Sequence, residues 1–393
     1  MLISPHTSRA KSGGKGSTCK LSTGPILAGG FTLIELAVVV VMLGLLVTLL
    51  GSVWKDARRA ALDVTCSGIL ADFGAAMQQY AAENQDWIPG VNTSGVATRA
   101  KRLMMPDDPN GYCQPHVPVQ SYDWMTPLAS YINPAELPAN RAERWHHLWT
   151  TYKCPSVKWT NDFVWGNPPD ADDFAQYTYP VCSYLSPCYF HHWGAAHQLD
   201  VVGYMEGLPR PIPIPARTLS VSWPVQPPAE FVSRLSEIGP PASKIFVADG
   251  TRYVMESGHV DFDINLDPAY FGAFNSSGGW WSISSTYGVA PGTLNWDGDT
   301  IADGSPSGGL NLYFSYRHPP GTPPAPADAL CETEFTGAAQ DNHGGINALF
   351  FDGHVERLND QMSRAIEMWH PTGSVVQGDP VGMTTVPPGY EIP

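Results

Sequence analysis

The chain has 393 residues, 15% of them charged against about 25% in an average soluble protein, which excludes a coiled coil or a charged disordered tail. With 38 Gly and 37 Pro it is loop-rich, while 13 Trp, 16 Tyr and 14 Phe can fill a sizeable core. Twenty-two basic against 37 acidic residues leave −15, which argues against a phosphate-binding surface and so against nucleic acid as the main partner.

The N-terminal stretch, residues 1–30, runs against this balance. It holds Arg9, Lys11, Lys15 and Lys20 and no carboxylate, so its removal takes the net charge to −19. Residues 31–54 follow, Phe31 through Trp54, 24 residues with Glu35 as their one ionisable group. A helix over them is about 36 Å long, enough for a hydrocarbon core of about 30 Å. The basic stretch before and the acidic bulk after put the N-terminus in the cytoplasm and the body outside, although Lys55, Arg58 and Arg59 sit on the far flank. A secretory signal peptide has a shorter apolar core ending in a small-residue site. A plain membrane anchor leaves the intramembrane carboxylate Glu35 unexplained, since such a group is functional by default and calls for a partner.

The segment Gly30-Phe31-Thr32-Leu33-Ile34-Glu35 resembles the processing site of type IV prepilins and type II secretion pseudopilins. The resemblance implies that a prepilin peptidase cuts between Gly30 and Phe31, that Phe31 becomes the N-methylated first residue, and that Glu35 is the assembly glutamate. Cleavage would create an ammonium at Phe31, and a neighbouring subunit's Glu35 would neutralise it inside the membrane, removing two desolvation penalties with one contact.

Beyond the span, residues 55–90 contain no proline before Pro89. Ala57, Ala60, Ala61, Leu62, Ile69, Leu70, Phe73, Ala76, Met77 and Tyr80 recur at three- and four-residue spacing. One helix from Thr32 to about Asn84 is expected, on the order of 80 Å long, its second half packing on a sheet. Gly44, Gly51, Gly68 and Gly74 read either as tolerated helix glycines or as close-packing positions.

Ala57-Arg58-Arg59-Ala60, Cys66, residues 79–84 and Trp87-Ile88-Pro89-Gly90 also look like a subfamily of large prepilin-like proteins abundant in planctomycetes. Its further marks are a mid-chain Cys-Pro-Ser, here Cys154-Pro155-Ser156, and a C-terminal run of His, Gly-Gly, apolar strand and Asp-Gly-His-Val. Here that run is His343-Gly344-Gly345, residues 346–351, then Asp352-Gly353-His354-Val355. His343 and Asp352 are one residue closer than the family pattern usually has them, and residues 319–342 separate a second histidine, His318, from the motif.

The motif reads as a hairpin, with residues 346–351 as a buried strand, Asp352-Gly353 as a two-residue turn and residues 354–358 as the return. Asp249-Gly250 repeats the design between residues 244–248 and 251–255. His343, Asp352 and His354 offer metal-ligand chemistry, but Asp before Gly is chiefly a turn former. His191, His192 and His197 raise the same question without a metal-binding spacing to support it. Asn295, Asp297, Asp299 and Asp303 resemble a calcium loop, with Thr300 where the loop's glycine belongs and Pro306 where its last glutamate belongs. Calcium is the one cofactor expectation, and an acidic turn the plain one. Six cysteines remain after the leader, and in an exported body disulfides are expected, Cys182 with Cys188 being the most plausible local pair.

Residues 92–241 are rich in Pro and Trp without a clear helical period and read as irregular insertions on the sheet, with no nucleophile elbow, phosphate loop or dinucleotide fingerprint. The expected fold is α+β and pilin-like: a leader at 1–30, a membrane half-helix at 31–54, an amphipathic half-helix at 55–90, and an exported β-rich body at 91–393 with a short helix over 360–369. The expected role is structural and not enzymatic. It is that of a single-pass inner-membrane subunit whose partners are the prepilin peptidase and other pilin or pseudopilin subunits. The alternative is an exported binding or hydrolytic domain that uses a prepilin-type leader and never polymerises.

Overall fold

The computed structural model describes residues 32–96, 98, 100, 117–133, 135, 137–155, 160–161, 170–180, 182–205, 209–219, 223, 225–252, 274–276, 293–295, 312–314, 318, 332–334, 345–359, 362, 365–377 and 387–393. It divides into two compact units, Met1–Lys55 and Asp56–Pro393. Helix α1, Leu33–Glu83, is 51 residues long and runs through the division between them.

In the first unit α1 opens on a capping box. Thr32 N and Thr32 Oγ1 each donate to Glu35 Oε2 at 2.8 Å, and Glu35 N donates back to Thr32 Oγ1 at 3.3 Å. This reciprocal pair satisfies donors that a helix start leaves orphaned. The next stretch, Leu33–Leu49, is an apolar helix whose Leu, Ile, Val and Met side chains are exposed.

In the second unit α1 is amphipathic. Cys66, Leu70, Phe73, Met77 and Tyr80 recur every three or four residues and are buried as one stripe. The part Ala57–Glu83 is long and apolar enough to cross a membrane, but a third of its most apolar window is buried inside the protein. The helix stops where Gln85 (φ 57°) and Asp86 (φ 71°) turn left-handed, with Asp86 N donating to Ala81 O at 2.8 Å as in a Schellman cap.

That stripe packs on the body built around a sheet. The described strands of the main sheet are β1 (Tyr184–Pro187), β2 (Ile245–Arg252), β3 (Asn275–Ser276), β4 (Leu312–Phe314), β5 (Gly345–Phe350) and β6 (Val355–Asn359). The order is β6-β5-β2-β1-β3, with β4 also on β2; only β1 and β3 run parallel. Mixed helix and antiparallel sheet are therefore the architecture, as an α+β class requires. Strand β5 is buried along its whole length and pairs both neighbours, Leu349 lying opposite Val355 on β6 and Val247 on β2. Edge-on aromatic contacts tie α1 to the sheet: Phe73 meets Trp124 at 5.1 Å, and Trp124 meets Phe246 of β2 at 5.5 Å. A Cβ at Gly74 would lie 2.8 Å from Leu349 Cδ1 and 3.0 Å from Gly353 O, so this glycine sets the approach of α1 to β5; Gly44, Gly51 and Gly68 meet nothing within 4 Å.

Several expectations are corrected. Asp249-Gly250 is no turn, because β2 runs straight through it. Gly250 is small because a Cβ there would lie 2.7 Å from the Leu185 side chain on the neighbouring strand. The β5–β6 hairpin forms as expected, but its loop is the three residues 351–353. Gly353 N donates to Phe350 O, Phe350 N to His354 O, and Gly353 holds φ 95°. Among the described residues, 92–241 contain the helices Met125–Ile132 and Arg141–Thr151 and a one-turn helix at Ala171–Phe174. Asn140 caps the second by accepting from Glu143 N, and its Ala142, Trp145, Leu148 and Trp149 are buried. Of the helix expected over 360–369, the described residues are Met362, which is helical, and 365–369, where the chain forms a 3-10 turn at Ile366–Met368 that delivers Trp369 to the core.

Candidate functional site

The processing residues Gly30 and Phe31 lie outside the described residues, as do His343, Asp297, Asp299 and Asp303. Asn295 ends a short strand, Thr293–Asn295, paired with Glu332–Glu334. Asp352 serves its own loop. Its Oδ1 accepts from His354 N at 3.1 Å and lies 2.5 Å from His354 Nδ1, while the His354 ring stacks on Phe350 at 4.3 Å. Burial raises the Asp352 carboxyl, but the hydrogen bonds from His354 outweigh it and hold it below its ordinary value. Asp352 and His354 thus act as turn formers in this geometry.

Cys182 and Cys188 are not bonded to each other, and Cys182 Sγ donates to Tyr184 O at 3.2 Å. The residues between them include β1, and extended chain of that length holds its ends well beyond the 4.4–6.8 Å a disulfide allows. The structure instead pairs Cys66 of α1 with Cys154.

Around that bond lies a polar cluster that local sequence reading did not assemble. Asp63 and Cys66 are three residues apart on one face of α1. His318 is held by a backbone bridge to Gly345 at the start of β5, its N donating to Gly345 O at 3.0 Å. Its ring, 1% exposed, lies between two carboxylates: Nδ1 is 3.0 Å from Asp63 Oδ1, and Nε2 is 3.0 Å from Asp249 Oδ2. His318 Nε2 is also 3.9 Å from Cys154 Sγ. Asp63 further accepts from Asn347 Nδ2 at 2.9 Å and Arg357 Nη1 at 2.8 Å, and Asp249 Oδ2 accepts from Asn347 N at 2.7 Å. Asp249 is fully buried, and its Oδ1 has no hydrogen-bond partner among the described residues. A cluster of this kind couples α1 to β2, β5 and β6, and breaking one buried charge partner typically costs about 3–5 kcal/mol.

Of the remaining candidate histidines, His191 and His192 are packing groups. His191 Nε2 is 2.7 Å from Ser186 Oγ, but that hydroxyl donates to Phe246 O, and both residues are buried. His192 Nδ1 is 2.9 Å from Cys188 O. Burial pushes His191 down to about 3 and His192 down to about 4. His197 is satisfied by Asp200 Oδ2 at 2.6 Å and Glu230 O at 3.0 Å. A groove of about 520 Å³ lies by the C-terminus of α1, lined by Tyr80, Asn84, Trp87 and Trp193 among others. The Trp87 ring stacks on Trp193 at 5.4 Å and carries the Arg234 guanidinium 4.4 Å from its centroid, so its faces serve the fold.

No family model, no curated protein and no solved structure matches the chain.

Proposed function

We propose that the chain is a structural subunit of a type IV pilus or type II secretion pseudopilus, cut after Gly30 and N-methylated at Phe31. The observation that carries this reading is the start of α1, where Glu35 is the lone carboxylate within an exposed apolar run, Leu33–Leu49. An apolar helix of this kind gains about 1.5–3 kcal/mol for each large side chain it removes from water, in a bilayer first and against neighbouring helices after assembly. The membrane stretch in this reading is residues 31–54, a single pass of the inner membrane, because the more C-terminal apolar part of α1 is already committed to the sheet through Cys66, Leu70, Phe73 and Met77. The acidic body then lies on the outer side, and the partners are the peptidase, the membrane and further subunits.

The capping box sharpens the test. Glu35→Ala removes both the negative charge and the helix cap, so loss of filaments in that variant has two explanations. Glu35→Gln keeps a capping-box residue and removes only the charge. In a host with a prepilin peptidase, mass spectrometry of the N-terminus should find N-methylated Phe31 in wild type and in Glu35→Gln, with filament assembly lost only in the variant. An intact Met1 in wild type refutes the processing. Normal assembly of Glu35→Gln refutes the charge pairing, and an absence of assembly in both favours an anchored domain that never polymerises.

A further inference from the structure

The geometry points to a second, metal-bound state of the Cys66–Cys154 site: when the disulfide is reduced, Cys66, Cys154, His318 and Asp249 form a tetrahedral zinc site. This inference is independent of whether the chain polymerises.

Three observations converge on it. The ligand atoms of Cys66, Cys154 and His318 all lie within 4.8 Å of one another, and all three residues are buried. Zinc bonds of about 2.0–2.3 Å in a tetrahedron place neighbouring ligand atoms roughly 3.3–3.8 Å apart. The two fixed edges here bracket that range, at 3.0 Å for Asp249 Oδ2 to His318 Nε2 and 3.9 Å for His318 Nε2 to Cys154 Sγ. Asp249 Oδ1, a fully buried carboxylate oxygen with no hydrogen-bond partner among the described residues, is a polar group that a cation beside the other oxygen would satisfy.

The outer arrangement suits a ligand histidine. Asp63 Oδ1 faces His318 Nδ1 at 3.0 Å, and Asn347 and Arg357 hold Asp63 in turn. A carboxylate on the far ring nitrogen fixes the tautomer and orientation that leave Nε2 to the metal. Two thiolates and an imidazole select zinc over calcium or magnesium, which take oxygen. Asp63 and Arg357 are only partly buried, so the cluster reaches solvent on one side.

The two states interconvert with a full balance. A dithiol reductant gives two electrons and two protons to the Cys66–Cys154 bond and is itself oxidised to a disulfide, leaving two thiols. Zinc then takes both sulfurs as thiolates and His318 Nε2 as a neutral ligand, and the displaced protons pass to solvent.

The test uses the full chain in detergent, produced either with a phosphine reductant throughout or fully oxidised, and titrated with Co²⁺. The reduced chain should develop thiolate-to-cobalt charge-transfer bands and tetrahedral visible bands that saturate at one metal per chain and bleach on adding Zn²⁺. The oxidised chain should develop neither. Asp249→Asn should weaken the reduced-state affinity by about tenfold or more. Absence of the bands in the reduced chain overturns the inference, and so does their survival in a reduced Cys66→Ala/Cys154→Ala chain, which would place the metal on other cysteines. If reduction alone abolishes the near-ultraviolet dichroism of the body, recovery on adding zinc supports the site and failure to recover overturns it.

Discussion

Removing the Cys66–Cys154 cross-link should cost the body a large share of its stability. The bond joins α1 to a segment 88 residues later. In the chain-entropy account, closing a loop of that size removes roughly 15 cal/mol/K from the unfolded ensemble, which is about 4–5 kcal/mol at 25 °C. Small domains are typically stable by about 5–15 kcal/mol, so the loss is a third or more of the total. The perturbation is Cys66→Ala with Cys154→Ala, since serine would bury two hydroxyls in places that are 0% exposed. The readout is urea unfolding of oxidised full-length protein in detergent, followed through tryptophan fluorescence, to which the body contributes all the tryptophans except Trp54, with Trp124, Trp145 and Trp369 fully buried there. A loss below about 1 kcal/mol would refute the reasoning, because it would mean that the unfolded chain gains no freedom when the loop opens.

Gly74→Ala should cost about 1–3 kcal/mol by overpacking, because the new methyl would meet Leu349 Cδ1 at 2.8 Å and the backbone of Gly353, whereas Gly68→Ala, with nothing within 4 Å, should be neutral or stabilising. The same unfolding assay compares the two, and equal effects would refute the close approach of α1 to β5. Acid should destabilise the body through His191 and His192. Both are depressed by burial, to about 3 and about 4, so between pH 6.5 and those values the unfolded chain binds more protons, and stability falls as pH falls. The slope is up to about 1.4 kcal/mol per pH unit for each, and His192→Gln should flatten it between pH 6.5 and 5. An unchanged slope in that variant would show that the ring is not held neutral.

How much of this could be read from the chain depends on how local each signal is. The long helix was legible because its stripe of Cys66, Leu70, Phe73, Met77 and Tyr80 repeats within a few residues, and the β5–β6 hairpin because Asp352-Gly353 is a short-range turn signal. The same dipeptide misled at Asp249-Gly250, where packing against Leu185 gives the glycine its reason. Nothing local links positions 63, 249 and 318, whose meeting is purely tertiary. One clue was available: Asp63 lies three residues before Cys66 on the stripe that α1 buries, a place where a carboxylate calls for a partner. The helix Arg141–Thr151 also had a signal, since Asn140 and Glu143 stand at capping distance ahead of Trp145, Leu148 and Trp149. Its prolines and tryptophans on either side drew the reading toward loops.

The Cys66–Cys154 bond also has a mechanical meaning. Any pull entering the body along α1 reaches Cys66 before it reaches the segment between the two cysteines, and the covalent link carries the load across to Cys154 directly. The 88 residues of separation, about 300 Å of chain if drawn out fully, are thereby withheld from extension. Under tension the oxidised body would lengthen in short steps taken from outside that loop, whereas a reduced body would yield the loop as well.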